Sequence, residues 1–130
     1  MDLNANEVFK IIGNNRRFTS PFEIFSAYYI VGDFGEYREL YFDKLKYAVN
    51  HADSLLGQAF CEDFFDFYGV DKTKVSSPEE MLDGLIFDSF VLVPEQETIG
   101  CCVSNQEFMF GHFIEIIWDY NWNLQSVWIN

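Results

Sequence analysis

The chain has 130 residues, 49% of them hydrophobic and 19% aromatic, so it can bury one core but is too short for two domains of ordinary size. Its 21 acidic and 8 basic residues give a formal net charge of −13. Such a surface repels nucleic-acid phosphates and anionic lipids, which argues against direct binding to nucleic acid or membrane. We predict a single domain over residues 1–130.

The charge is unevenly distributed along the chain. No Lys or Arg follows Lys74, whereas residues 75–130 contain nine carboxylates: Glu79, Glu80, Asp83, Asp88, Glu95, Glu97, Glu107, Glu115 and Asp119. An acidic surface attracts a basic protein and speeds its encounter. The alternative is that the charge only keeps a small protein in solution.

The amino terminus lacks a signal-peptide pattern, and no apolar run approaches the roughly 20 residues of a membrane span. We therefore expect a cytoplasmic protein. The three cysteines, Cys61, Cys101 and Cys102, are expected to be small buried hydrophobes rather than a disulfide framework. Cys101 and Cys102 are neighbours on a predicted strand, so they should point to opposite faces.

The first predicted element is a short helix that Asn4 or Asn6 caps and Gly13 ends, with an apolar stripe formed by Val8, Phe9, Ile11 and Ile12. Arg16 and Arg17 follow in a polar connection, where we expect them to be solvated or paired with a local carboxylate.

Four further helices are predicted before the sheet. Residues 21–31 form a mostly buried helix, and apolar residues at intervals of three and four from Glu36 predict a helix of about five turns that Gly57 ends. A shorter helix follows over residues 59–68. A last short helix begins after Ser77, where Pro78 and Glu80 have the spacing of a helix start.

Four runs rich in Val, Ile, Phe and Trp predict strands in the last third: LIFDSFVLVP, ETIGCCVS, HFIEIIW and LQSVWI. The breaks between them, at residues 94–96, 104–106 and 119–123, predict turns and hence a meander. The expected fold is α+β, with a helical part at about 5–83 packed on an antiparallel sheet of four strands at about 85–129. Both faces of the third strand are largely apolar, so one face should carry the helices and the other is partly covered or open to a partner.

Residues that carry catalytic chemistry form no recognisable set. Neither His51 nor His112 is placed beside a cysteine by the sequence, no Cys or His pair has zinc-site spacing, and there is no glycine-rich phosphate loop. We therefore predict no enzyme activity, no catalytic residues, no metal and no cofactor. An enzyme with an aromatic pocket is the least favoured alternative.

The segment EFMFGHFIEIIWDYNWNLQSVWI, preceded by FDSFVLVP, carries the motif Phe110-Gly111-His112 at the start of a strand and an acidic hairpin after it. It resembles the C-terminal sheet of bacterial immunity proteins that accompany polymorphic or contact-dependent growth-inhibition toxins. The resemblance covers roughly the last third of the chain. The alternative interpretation is that the motif is only the ordinary start of a strand.

The resemblance implies a protein that binds and neutralises a cognate toxin domain by covering its active site or an adjacent surface. The toxin domain is expected to be basic, and a nuclease is one of the expected kinds. The expected partner-binding residues are acids, with two aromatic anchors: Asp63, Asp66, Glu79, Glu80, Asp83, Glu95, Glu97, Glu107, Tyr120 and Trp122. A small adaptor or regulatory module that binds another basic protein is the alternative that would share this surface. The sequence does not indicate an oligomeric state.

Overall fold

The computed structural model describes residues 5–13, 15–18, 34–59, 78–104 and 113–129. The helices are α1 (Ala5–Ile12), α2 (Phe34–Asn50), α3 (Ala52–Ala59) and α4 (Pro78–Asp83). The strands are β1 (Ile86–Val93), β2 (Thr98–Ser104), β3 (Ile114–Asp119) and β4 (Leu124–Ile129). The fold is therefore α+β, with the helices N-terminal to a four-stranded antiparallel sheet, as the sequence predicted. The helices predicted at 21–31 and 59–68 lie outside the described residues, apart from Ala59.

The strands follow one another in the order β1-β2-β3-β4, so the predicted meander is confirmed. Irregularities between Phe87 and Ser89 and between Ile117 and Trp118 shift the register. The first shift explains why burial in β1 does not alternate strictly, since one extra residue changes which side chains face the core.

The long predicted helix is in fact two helices. His51 lies between them: its N–H donates to Tyr47 O at 3.0 Å, as in the last turn of α2, and its C=O accepts Leu55 N–H at 2.9 Å, as in the first turn of α3. Asn15 Nδ2 donates to Val49 O at 3.0 Å, one of the carbonyls that a continuous helix would use. The prediction that Gly57 ends the helix was wrong, because α3 runs through it to Ala59. Gly13, by contrast, has φ +52° and ends α1 as predicted.

The core contains apolar residues from both helices and strands. Tyr41 of α2 contacts Phe90 of β1, with ring centroids 5.6 Å apart, and donates a hydrogen bond to Phe90 O at 3.1 Å. The Phe18 ring stacks on Phe87 at 4.4 Å. In β3 the buried residues are Ile114, Ile116 and Trp118, while the alternate residues are partly exposed. The described helices include none that is long and apolar enough to cross a lipid bilayer.

Candidate binding surface

The predicted binding residues lie at two opposite ends of the sheet. In a meander the β1–β2 and β3–β4 turns share one end, here named the turn end (residues 94–97 and 119–123). Helix α4 precedes β1 and therefore lies at the other end, named the helix end (residues 78–85). The eight residues of β1 separate the two ends by roughly 23 Å at the usual rise of a strand. Glu95, Glu97, Tyr120 and Trp122 are thus brought together, apart from Glu79, Glu80 and Asp83.

At the turn end, Glu95 and Glu97 are both exposed. Glu97 has φ +53°, a left-handed conformation that a tight turn requires and that glycine adopts more easily. The pKa of Tyr120 is raised by burial first, then by the nearby carboxylate of Glu97 and by Tyr37. The two turns lie side by side, since Thr98 pairs with Asp119 in the register of β2 and β3. Within the described part of the chain, the Tyr120 hydroxyl has no hydrogen-bond partner.

Asp119 organises the β3–β4 turn, a role that the sequence analysis did not assign. Its Oδ1 accepts the backbone N–H groups of Asn121 at 2.8 Å and Asn123 at 2.9 Å, and its Oδ2 accepts Asn123 Nδ2 at 3.1 Å. These bonds, with the Asn123 N–H as the largest cause, lower the pKa of Asp119. The sequence Asp-Tyr-Asn-Trp-Asn already signals such a turn, since Asp and Asn side chains bond nearby backbone groups.

Lys44 of α2 brings a cation to the turn end. Its Nζ donates to Tyr120 O at 2.6 Å and lies 5.2 Å from the centroid of the Tyr120 ring. Nothing in the sequence indicated that the β3–β4 turn comes next to Lys44, since Tyr120 is 76 positions away. The charge of Lys44 also helps to lower the pKa of Asp119, so the negative charge of this end is partly compensated there.

Trp122 is partly buried and held by other aromatic rings. It stacks on Tyr47 with centroids 4.7 Å apart and meets Trp118 at 5.6 Å, edge to face. The Tyr47 ring stacks in turn on His51 at 3.9 Å. One face of Trp122 is thus covered by α2, and Trp128 of β4 is the tryptophan with the large exposed fraction, 48%.

At the helix end, Glu79, Glu80 and Asp83 are exposed. Asp83 is engaged by Arg16, whose Nη1 donates to Asp83 O at 2.7 Å and whose Nη2 lies 3.0 Å from Asp83 Oδ1. Asp83 therefore has a cationic partner within the chain.

Arg17 is buried, which corrects the expectation that it is solvated or paired locally. Its Nε donates to Asp53 Oδ1 at 2.5 Å, and its Nη1 donates to Leu82 O at 3.0 Å and Leu85 O at 2.7 Å. The pKa of Asp53 is lowered, chiefly by the hydrogen bond from Arg17. A cavity of about 440 Å³ lies beside Arg17 and is lined also by Arg16, His51 and Asp53. The two arginines that line the cavity already have carboxylate partners.

The described cysteines are free and lie on opposite faces of β2, as predicted. Burial raises the pKa of both thiols, that of Cys101 well above the usual value. Both are therefore protonated at neutral pH, and neither is activated as a nucleophile. Among the described residues, no group of three or more His, Cys, Asp or Glu is placed to hold a metal ion.

Asp63, Asp66, Glu107 and the Phe110-Gly111-His112 motif fall outside the described residues. No family model matches the chain, and neither a curated protein nor a solved structure is detectably similar to it.

Proposed function

We propose that this protein is a binding protein, an immunity protein that neutralises a cognate basic toxin domain through its acidic surface. The observation that carries the proposal is that Glu95 and Glu97 are exposed and form no ion pair with the other described residues. Both project from the β1–β2 turn. Carboxylates without an internal partner are available to cations of another protein at the smallest cost.

Charge distribution supports the same conclusion on a larger scale. The strands and α4 belong to the part of the sequence that follows Lys74 and so contain carboxylates but no Lys or Arg. Lys44 reaches this part at the turn end, and Arg16 and Arg17 reach it at the helix end. Asp119 and Asp83 are therefore partly compensated, which favours Glu95 and Glu97 as the contact residues.

The proposal includes finer features of the architecture. The helices form a layer against one face of the sheet, as the Tyr41–Phe90 contact supports, and the turn end and the opposite face remain for the toxin. Inhibition follows from covering the active site or a surface beside it. The protein acts in the cytoplasm, where a toxin entering the cell has to be neutralised.

The direct test is co-expression with the product of the neighbouring gene, followed by co-purification and a growth assay. We expect a stable complex and protection of cells from that product. The proposal is abandoned if the product is not toxic and this chain protects no cell. Binding of a basic protein that is not a toxin would support the adaptor alternative.

Charge-neutral variants locate the contact. Two opposite unit charges about 10 Å apart in water attract each other by about 0.4 kcal/mol. Removing two carboxylates should therefore weaken the attraction between this protein and its basic partner by about 0.8 kcal/mol and slow their association roughly fourfold at low salt. We expect this of the double variant Glu95→Gln/Glu97→Gln and a smaller effect of the matched pair Glu79→Gln/Glu80→Gln. Salt at about 1 M should remove the difference, because the screening length falls to about 3 Å. Equal association rates for both variants at low salt would refute the role of the turn end.

A further inference from the structure

The two edge strands of the sheet, β1 and β4, differ in whether their outer side is hydrogen-bonded to other described residues. At the β1 edge, Phe87 N–H donates to Arg17 O at 2.7 Å, so part of that edge is paired with the segment before α2. At the other edge, β4 pairs with β3, and no other backbone hydrogen bond reaches β4 from the described part of the chain. The outward N–H and C=O groups of an edge strand are a template for another strand.

Strand β4 also lacks the features that commonly block an edge. Its sequence is LQSVWI, which contains no charged residue and no proline. Helix α3 contacts β4 but leaves Gln125, Ser126 and Trp128 exposed. The indole of Trp128 is therefore available at the side of an open strand.

The surroundings of β4 determine which kind of strand it favours. Trp128 lies opposite Glu115 in the register of β3 and β4, and β3 ends at Asp119, while neither strand contains Lys or Arg. A cation beside β4 would meet the Glu115 carboxylate and the face of an exposed indole, both of which attract it. A second copy of this chain would instead add another formal charge of −13.

We infer that β4 is the docking strand for an extended, lysine- or arginine-containing segment of a partner protein, which joins the sheet as a fifth strand. Backbone hydrogen bonds to the outward edge of β4 supply affinity, and the charges near Glu115 and Trp128 select a basic segment. The identification of this partner as the toxin rests on the proposed function.

Amide hydrogen exchange measured by NMR tests the inference with a defined probe, an acetylated and amidated octapeptide in which lysine and valine alternate. In the free protein, alternate β4 amides should exchange fast because they point away from β3. At saturating peptide these amides should slow by about tenfold or more, as expected when an open amide becomes hydrogen-bonded. A lysine–proline octapeptide of the same charge should not slow them, since proline lacks the donor and favours polyproline II. A glutamate–valine octapeptide should not bind.

Trp128→Ala and Glu115→Gln should each weaken binding of the lysine–valine peptide by about two- to fivefold. Circular dichroism would verify that both variants remain folded. The inference is overturned if the peptide does not bind at millimolar concentration, if it binds while the outward β4 amides stay fast, or if the protein pairs with itself through β4 instead.

The same exchange experiment on a complex with the neighbouring gene product separates this inference from the proposed function. Protection of the outward β4 amides by a toxin supports both. A toxin complex in which they stay fast overturns the inference and leaves the function standing. Binding of the peptide at β4, together with a neighbouring product that is harmless, overturns the function alone.

Discussion

Replacing Arg17 tests whether a single buried guanidinium joins the helical half to the start of the sheet. The Arg17 side chain is only 5% exposed, and it donates to Leu82 O, Leu85 O and Asp53. In Arg17→Met the apolar stem is retained, but Leu85 O loses its donor and Leu82 O keeps only the N–H of Leu85, at 3.3 Å. A buried carbonyl left without a partner costs about 1–3 kcal/mol, and the lost hydrogen bond from a charged donor to the other carbonyl adds about 1.5–3 kcal/mol. We therefore expect the free energy of unfolding to fall by about 3–5 kcal/mol.

Arg16 provides the matched control, since it is the neighbouring residue of the same type. Its side chain is 56% exposed and that of its partner Asp83 is 76% exposed, so Arg16→Met should cost no more than about 1 kcal/mol. Asp53 is also largely exposed, 78%, so Asp53→Asn should likewise cost less than about 1 kcal/mol.

Urea unfolding followed by circular dichroism measures these differences. At a slope of about 1.5 kcal/mol per molar, the midpoint of Arg17→Met should fall by about 2 M or more. The reasoning is refuted if Arg17→Met and Arg16→Met lose the same stability. If Asp53→Asn costs as much as Arg17→Met, the ion pair rather than the carbonyl contacts provides the stabilisation.

Three further predictions concern pH, packing and the turn. The pKa of Asp53 is lowered in the folded state, so its carboxylate should stabilise the fold fully above pH about 4 and lose this effect as the pH falls through the folded pKa. Asp53→Asn should flatten this acid dependence of the free energy of unfolding, measured by urea titrations. Trp122→Ala removes the stack on Tyr47 and should lower the free energy of unfolding by about 2–4 kcal/mol, measured the same way, whereas an unchanged midpoint would show that the stack contributes nothing. Glu97→Gly should raise the melting temperature, because it relieves a positive φ worth about 1 kcal/mol, while Glu95→Gly should lower it; a drop in both would contradict the turn geometry.

Local patterns predicted most of the described elements. The β-branched and aromatic runs placed all four strands, and the turn residues between them predicted the meander. Gly13 marked the end of α1, and Pro78 marked the start of α4. These features depend on neighbours in the sequence, since turns, caps and side-chain alternation are properties of short segments.

The errors arose where distant residues interact. The break at His51 accompanies a hydrogen bond from Asn15 to Val49, across 34 positions, so periodicity could not reveal it. Gly57 looked like a helix end because glycine often is one, yet α3 includes it. Arg17 looked solvated because its neighbours are polar, and its burial depends on α4 and β1 coming together around it.

The sequence by itself determined the fold class and the negative charge of the last third, because both follow from composition and from periods of a few residues. The predicted meander already implies that β4 is an edge strand and that the β1–β2 and β3–β4 turns share one end, which unites Glu95 and Glu97 with Tyr120 and Trp122. Only the tertiary structure decided which acids gain a cation nearby. Lys44 reaches the turn end across 76 positions and Arg16 reaches Asp83 across 67, and contacts between such distant residues leave no local pattern in the sequence.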